Sequence, residues 1–551
     1  MISPNALIYG DNLDVLIRHV AEESVDLVYL DPPFNSNANY NVLFGGKGDG
    51  RSAAQVQAFA DTWHWDAAAA LAYQETVEAG GGAAQALLAF KQLIGRNGGD
   101  MMAYLAMMAP RLTELRRVLK PTGSLYLHCD PTASHYLKVL MDAVFGPDNF
   151  RAEITWKRTH AHGNVTRNYG AVSDILLFYS RGPNYTWNQP FTSLSAQAVL
   201  EKYPNTDPDG RRWQSVTLRN PGSRPNLHYP YTASNGVTYQ PHPNGWSCNL
   251  ERLQKYDREG RLHYPAKPGG ALRLRMYADE SMGERVQSIW TDIPPLGAQA
   301  AERLGYPTQK PLALLERILQ ASSNPGDLVL DPFCGCGTTV TAAQKLDRRW
   351  LGIDITHLSI NLMRTRLRDA FGDAAKFKVY GEPTTADDAA ALADLDKYQF
   401  QFWALGLVGA RPASSDERKG ADGGIDGRLY FHDEGAGGTS KQIILSVKGG
   451  GVGVKDVREL SDVVRREEAH IGVLISLRET TRPMREEAAN AGFYRSPWDG
   501  RDYPRVQLLT VAELLDNRGI QMPSAAQLNT TFQKAPRAAP AAGHQPTLPG
   551  T

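Results

Sequence analysis

The sequence predicts an α/β protein built on a largely parallel sheet, followed by a second, smaller α/β domain. Short β-rich runs alternate with helical periodicity over residues 1–180, and the same alternation resumes near residue 300. A further mixed α/β segment runs from about 398 to 520. With 551 residues, the chain has room for two or three domains, each with its own core.

Ala6 to Tyr9 and Val25 to Leu30 read as the first two strands. The second ends in Asp31-Pro32-Pro33-Phe34. Two successive prolines forfeit two backbone donors and fix φ, so neither a central strand nor a helix continues through them. A stiff backbone is left beside a carboxylate and a flat ring. Helical period follows over Tyr104 to Leu119 and Tyr136 to Val144, with strands at Ser124 to Leu127 and Ile175 to Tyr179. In "LKPTGSLYLHCD" a helix end, a Pro-Thr-Gly turn and a strand come in sequence.

From about 181 the texture changes. Aromatics, prolines, Asn and Arg interleave without sustained period, as in "DGRRWQSVTLRNPGSRPNLHYPYTASNG". Residues 151–290 carry 18 Lys+Arg against 11 Asp+Glu, a local excess in a chain whose acids and bases balance at 59 each. Basic side chains mixed with flat ones suit phosphate contact and base stacking, and a solvated irregular insertion is the alternative. Helix, turn, strand, Gly-rich loop, helix and strand then follow from about 308 to 355. Residues 381–397 read as an acidic linker and the Ala/Pro-rich end, 521–551, as a disordered tail.

Overall neutrality means that any nucleic-acid surface must be local. Four cysteines are too few for a disulfide framework, and Cys334 and Cys336 form a lone C-x-C with no second pair at metal-ligand spacing. The N-terminus shows no basic-then-apolar signal, and no apolar run approaches the ~20 residues that span a bilayer. The expectation is a cytoplasmic protein with no membrane partner.

"DLVLDPFCGCGTT" is a strand ending in Asp331, then a loop with Gly335 and Gly337, then a helix opening near Thr338. Such glycines let backbone approach a ligand, and the helix N-terminus offers free N–H groups. The next strand ends in Asp354, where an acid can accept hydrogen bonds from ribose hydroxyls. Asp331 would repel a pyrophosphate but suits an ammonium. A nucleoside with an amino-acid tail, S-adenosylmethionine, fits both acids; a purely structural turn is the alternative.

Together, "DPPF" and "DPFCGCGTT" resemble the S-adenosylmethionine-dependent DNA amino-methyltransferases over residues 1 to about 370. "YGDNLDVL", "FADTWHW", "RVLKPTGSLYLHCD", "WKRT" and "YPTQKPLALLERI" extend the likeness. The catalytic motif precedes the cofactor loop with the basic segment between them, as in the family's beta class. That resemblance implies a doubly wound, mostly parallel Rossmann-like sheet in circularly permuted order: a catalytic half at 1–180, a target-recognition insertion at 181–295 and a cofactor half at 296–380. It also implies cofactor contacts at Asp11, Thr308, Lys310, Asp331, Phe333, Gly335, Gly337, Thr338 and Asp354. Asp31, Pro32, Pro33 and Phe34 would serve catalysis on a base flipped from double-stranded DNA. N4-cytosine members usually carry Ser at the acid, so Asp31 favours N6-adenine, with N4-cytosine the alternative. RNA is the less favoured substrate. Relatives often form homodimers.

In the third segment, 398–520, "KGADGGIDGRLYF" and "KQIILSVKGGGVGVKDVREL" resemble the catalytic hairpin of Mrr-type nucleases in the PD-(D/E)xK superfamily. The resemblance makes Asp426 the first Mg²⁺ ligand and Lys448 the lysine assisting water. Ser446 stands where Glu or Gln is expected, so Glu459 or Glu467 is needed to complete a metal site. A restriction–modification pair on one chain and a modifier with a binding-only module both remain open at this stage.

Overall fold

The computed structural model describes residues 4–33, 65–94, 99–160, 167, 169–267, 269–297, 299–304, 306, 308–413, 424–433, 440–523 and 536–537. Its main sheet has nine strands: β1 (Ala6–Tyr9), β2 (Val25–Leu30), β3 (Leu119–Cys129), β4 (Phe150–Lys157), β5 (Ser173–Ser180), β6 (Ile289–Trp290), β7 (Leu328–Asp331), β8 (Arg349–Asp354) and β9 (Lys378–Tyr380). Across the sheet they lie in the order β6-β4-β5-β3-β2-β7-β8-β1-β9. Of these nine, β5 alone runs against the rest. The expected α/β architecture is present.

Runs such as Val25–Leu30 are apolar on both sides of the pleat because both faces of the sheet are covered. One face is packed by α1 (Asn12–His19), α2 (Ala67–Ala79), α3 (Gly81–Ile94), α4 (Gly99–Val118) and α5 (Pro131–Phe145). There Ile8, Val28, Leu30, Leu127 and Ile353 share a core with Leu87, Leu112 and Leu137. The later half supplies α6 (Leu312–Ser322), α7 (Thr338–Lys345) and α8 (His357–Phe371). Gly352 of β8 shows how closely α7 approaches: a Cβ there would lie 3.0 Å from Val340 and 2.8 Å from the Cys334 sulfur. The pairing that matters most joins β2 to β7 in parallel, with Val329 opposite Leu27 and Leu330 opposite Val28. It sets two segments some three hundred residues apart in sequence side by side.

The insertion is a compact unit of its own, Gln189–Gln287, rather than 181–295. Its end comes early because Ile289–Trp290 already pairs with β4, Trp290 opposite Trp156. Within the unit a four-stranded antiparallel sheet contains Arg212–Thr217 and Arg273–Tyr277. Its aromatics were expected to offer stacking faces, yet Tyr231, Tyr239 and Trp246 are buried in a small core with Leu253 and Leu262. Several of its arginines are also paired: Arg211 with Asp279 and Glu280, Arg261 with Glu280, and Arg275 with Asp207.

The expected acidic linker is instead helical. Thr385 and Asp388 form a reciprocal capping box opening α9 (Ala386–Leu395), and α10 (Lys397–Leu407) follows. The signal, Thr-x-x-Asp ahead of an Ala/Leu run, is legible in the sequence, but the excess of acids masked it. Ala389 and Leu392 of α9 enter the core of the C-terminal module, which therefore begins before residue 398. Its five-stranded sheet runs β10 (Arg411–Pro412), β11 (Gly427–His432), β12 (Ser440–Lys448), β13 (Ile471–Ser476) and β14 (Val506–Thr510) in spatial order. The last three are parallel and the first pairings antiparallel. α11 (Val454–Arg466) and α12 (Arg482–Asn490) pack against it. Ile520 and Met522 still touch the core, and most of the expected disordered tail lies outside the described residues. Among the described residues, no helix is long and apolar enough to cross a membrane.

Thr385→Ala should remove the capping box and lower the stability of the C-terminal module by about 1 kcal/mol. Chemical denaturation monitored by tryptophan fluorescence measures this. Unchanged stability together with rapid proteolysis at residues 386–395 would restore the linker assignment.

Candidate functional site

The carboxyl ends of β2, β7 and β8 are neighbours, and each delivers an acid: Asp31, Asp331 and Asp354. They line one cavity of about 330 Å³. In open α/β sheets, ligands bind outside the carboxyl ends of adjacent strands, where loops diverge. Of the sequence-predicted site residues, Pro32, Pro33, Thr308, Lys310, Phe333, Gly335 and Thr338 line the same cavity.

Asp331 is almost fully buried, and its carboxylate accepts from the Phe333 amide at 3.0 Å. Burial, reinforced by the charges of Asp31 and Asp354, pushes its pKa up to about 7. No Lys, Arg or His side chain among the described residues forms an ion pair with it. A cationic ligand would relieve that buried charge. Burial also raises Asp354, which is held at 2.9 Å by the Gly335 amide on one oxygen and by the amide and hydroxyl of Thr356 on the other. The acid thus fixes the Gly-rich loop while still lining the cavity. Gly335 and Gly337 both take positive φ, +51° and +76°. Gly337 lies behind the lining as the residue capping α7, where a Cβ would stand 2.6 Å from Met363. Arg366 secures the loop from below, donating to the Cys336 carbonyl at 2.9 Å and the Thr338 hydroxyl at 3.0 Å.

The third acid, Asp31, is treated differently. The Lys310 ammonium pairs with its Oδ2, and both side chains are largely buried. Gln309, next to it, accepts from the Leu304 amide at 2.8 Å and so pins the loop that carries Arg303. "TQKP" therefore contributes a wall residue, a loop staple and a counter-charge in succession. Phe34 lies outside the described residues.

Asp11 takes another role from the expected one. It caps α1 through the Leu13 amide at 2.8 Å and pairs with Arg111 at 2.7 Å, and it does not line the cavity. Its neighbour Asn12 reaches the site indirectly, donating to the Pro332 carbonyl at 2.8 Å.

One group of site residues carried no assigned role in the sequence. Tyr29, just before Asp31, has its hydroxyl 2.9 Å from His128 Nδ1; His128 Nε2 lies 3.1 Å from Asp174, and Asp174 lies 3.2 Å from Arg158. Tyr29, Asp174 and Arg158 line the cavity. Burial would raise Asp174, but the hydrogen bond and charge of His128, with Lys310 and Arg158, hold its pKa below the usual range. The trace in sequence was a histidine within the apolar run "LYLHC" and an acid opening "DILLFY": polar residues in a central strand need partners.

The C-terminal acids do not converge. Asp426 accepts from the Val447 amide at 2.6 Å and the Ser446 hydroxyl at 3.1 Å, so the residue standing where Glu or Gln is expected is hydrogen-bonded to the first acid. Lys448 lies 3.6 Å from Asp456. Glu459 pairs with Lys455 on the exposed face of α11. Glu467 pairs with Arg428 at 2.8 Å and Arg466 at 3.4 Å, and Arg428 above all holds its pKa down. Among the described residues, no three His, Cys, Asp or Glu side chains gather where a metal ion could sit. This set does not fit Mg²⁺, because one acid and a hydroxyl provide too little charge.

An acid-lined cavity at the carboxyl ends of a mostly parallel sheet, beside a Gly-rich loop, is the place where open α/β folds bind nucleotide ligands. The N6/N4 methyltransferase family, described as DNA methylase, matches residues 25–363, and the chain belongs to it. Residues 410–516 match a family described as NACHT-associated inactive Restriction Endonuclease 1. Type II methyltransferase M.EcaI of Enterobacter cloacae is 29% identical over 356 residues, covering 64% of this chain and 67% of that protein. The Mod subunit of the type III restriction-modification enzyme StyLTI, from Salmonella typhimurium, is 27% identical over 360 residues, covering 63% of this chain and 50% of that protein. The chain thus spans only half the length of the latter. Among solved structures, the cytosine-N4-specific PvuII DNA methyltransferase aligns at 14% identity and a TM-score of 0.31, over 66% of this chain and 86% of that one.

Asp331 yields a pH-dependent stability effect. Its folded pKa, about 7, exceeds the ordinary 3.8, so the folded chain holds the proton longer and loses stability as pH rises through that window. Asp331→Asn should therefore stabilise the ligand-free protein at pH 8 by on the order of 2–4 kcal/mol and leave it little changed at pH 4. Denaturant titrations at the two pH values decide it, and equal effects at both would contradict the buried charge.

Proposed function

We propose that the chain is a site-specific DNA methyltransferase that moves a methyl group from S-adenosylmethionine to the exocyclic N6 of adenine in duplex DNA. A restriction–modification or defence setting suits its relatives. The observation that carries this is one cavity holding Asp31 beside Asp331 and Asp354. Asp331 suits the cofactor's ammonium and Asp354 its ribose hydroxyls, with Thr308, Phe333, Gly335 and Thr338 shaping the remaining wall. When bound, the cofactor supplies a methyl group on a sulfonium. The chain's own residues must then act on the amine.

An exocyclic amine is a weak nucleophile because its lone pair is delocalised into the ring. Hydrogen bonds from its two N–H groups to the Asp31 carboxylate and the Pro32 carbonyl favour the pyramidal geometry of attack and the developing positive charge. Lys310 engages Oδ2 of Asp31 and leaves Oδ1 as the acceptor, while the Pro-Pro backbone holds both acceptors in place. Phe34 is assigned the face of the flipped base. The Tyr29–His128–Asp174–Arg158 chain braces the strand end that carries Asp31. The motif order is that of the permuted beta class, and the Gln189–Gln287 unit takes the role of target recognition. The C-terminal module is assigned a nuclease-like fold of the Mrr type without cleavage, given Ser446, the diverted Glu459 and Glu467, and the family match.

Asp31→Ala should abolish methyl transfer while leaving S-adenosylmethionine affinity within a few fold, because the acid acts on the amine in the transition state. Mass spectrometry of digested DNA from cells expressing the wild-type chain should show N6-methyladenine. N4-methylcytosine alone would overturn the base assignment, and near-normal turnover by the variant would overturn the role of Asp31. The purified chain should not cut unmethylated DNA with Mg²⁺. Cleavage lost in Asp426→Ala and Lys448→Ala would show a working nuclease after all.

A further inference from the structure

Helix α10 of the C-terminal module packs behind residues that line the cavity. Helix α8 starts at His357, immediately after the cavity residues Asp354 and Thr356, and its first turn contributes Leu358 and Ser359 to the wall. The opening amides of a helix lack intrahelical partners. Here the His357 amide is satisfied by the Gln399 side chain of α10, at 3.0 Å and buried. One turn further along α10, Phe402 is 4% exposed and packs on Leu358, with Tyr306 and Tyr398 closing the cluster. Tyr306 is itself a cavity wall and faces Gly335 of the cofactor loop, 3.4 Å from where a Cβ would stand. The helices meet closely beyond this point. Asn361 of α8 donates to the Phe402 carbonyl at 3.0 Å, and a Cβ on Gly406 would fall 2.0 Å from the same amide nitrogen.

We propose that α10 of the nuclease-like module buttresses the wall of the cofactor cavity from behind, with Gln399 and Phe402 as positioning residues for S-adenosylmethionine binding. Neither side chain lines the cavity. Phe402 fixes Leu358 and Tyr306, and Gln399 fixes the start of α8 beside the ribose acid. The module is on this account a component of the methyltransferase rather than an appended activity. The inference rests on the reading of the cavity as the S-adenosylmethionine site.

The test uses the full chain and S-adenosylmethionine as the probe, with Asp331→Ala as the reference for the cavity. Phe402→Ala and Gln399→Ala should each raise the calorimetric Kd and the KM for S-adenosylmethionine roughly 3- to 30-fold, with kcat and the KM for DNA within about twofold. Phe402→Leu should recover most of the loss, because it refills the contact with Leu358. If Asp331→Ala weakens binding and the α10 variants do not, the inference falls and the site stands. If Asp331→Ala binds as tightly as the wild type, the cavity reading itself falls. Should Phe402→Ala fail to fold, Gln399→Ala and Phe402→Leu decide: wild-type affinity in Gln399→Ala overturns the proposal. A change in kcat without a change in S-adenosylmethionine affinity overturns it as well.

Discussion

The rest of the structure depends on the parallel pairing of β2 with β7. No local property of either segment creates the cavity. Asp31 ends one strand and Asp331 the other, and only the pairing of Leu27 and Val28 with Val329 and Leu330 puts them on one rim. The third acid follows from the next pairing, β7 with β8, where Asp331 stands opposite Gly352 two residues before Asp354. Sheet register therefore sets the chemistry, and the apolar faces that enforce register are what hold the three acids together.

Three carboxylates around one cavity repel one another, and the protein resolves this unequally. Asp31 receives a lysine, Asp354 receives backbone and hydroxyl donors, and Asp331 is left buried with the Phe333 amide, the Thr339 side chain and no counter-ion among the described residues. That gradation matches the separate tasks proposed for them. A carboxylate facing an amine must keep its charge. One that waits for a ligand's cation can be left in a costly state until the ligand arrives.

Much of the site was legible because its residues sit at strand ends, where an acid, a Pro-Pro or a Gly-x-Gly interrupts an apolar run. Pro32 and the loop of Asp331 to Thr338 came from such interruptions, whereas Thr308 and Lys310 came only from the family resemblance of "YPTQKP". The Tyr29–His128–Asp174–Arg158 chain was not legible as a unit, since three members lie on β2, β3 and β5 and Arg158 just past β4, and they meet only through the order β2-β3-β5-β4. Asp11 misled because an acid after a strand serves a helix cap as readily as a ligand. In the C-terminal module, spacing along one helix placed Glu459 and Glu467 near the hairpin but could not reveal that Lys455 and Arg428 hold them. Helix α9 was missed for a simpler reason: composition was weighed above the capping pattern. In the Gln189–Gln287 unit, aromatic content was read as a binding surface where a domain that small needs the same rings for its core.

The adjacency of β2 and β7 also bears on biosynthesis. A ribosome completes β2 long before it reaches residue 328, and the edge of β2 that β7 covers has no partner in the interval. At 5–20 residues per second the gap lasts roughly 15–60 s. During it a largely apolar strand presents open backbone donors and acceptors, the condition under which nascent chains pair with the wrong neighbour. A chain cut short anywhere before β7 would keep its Asp-Pro-Pro-Phe motif and yet have no cavity, only an adhesive edge.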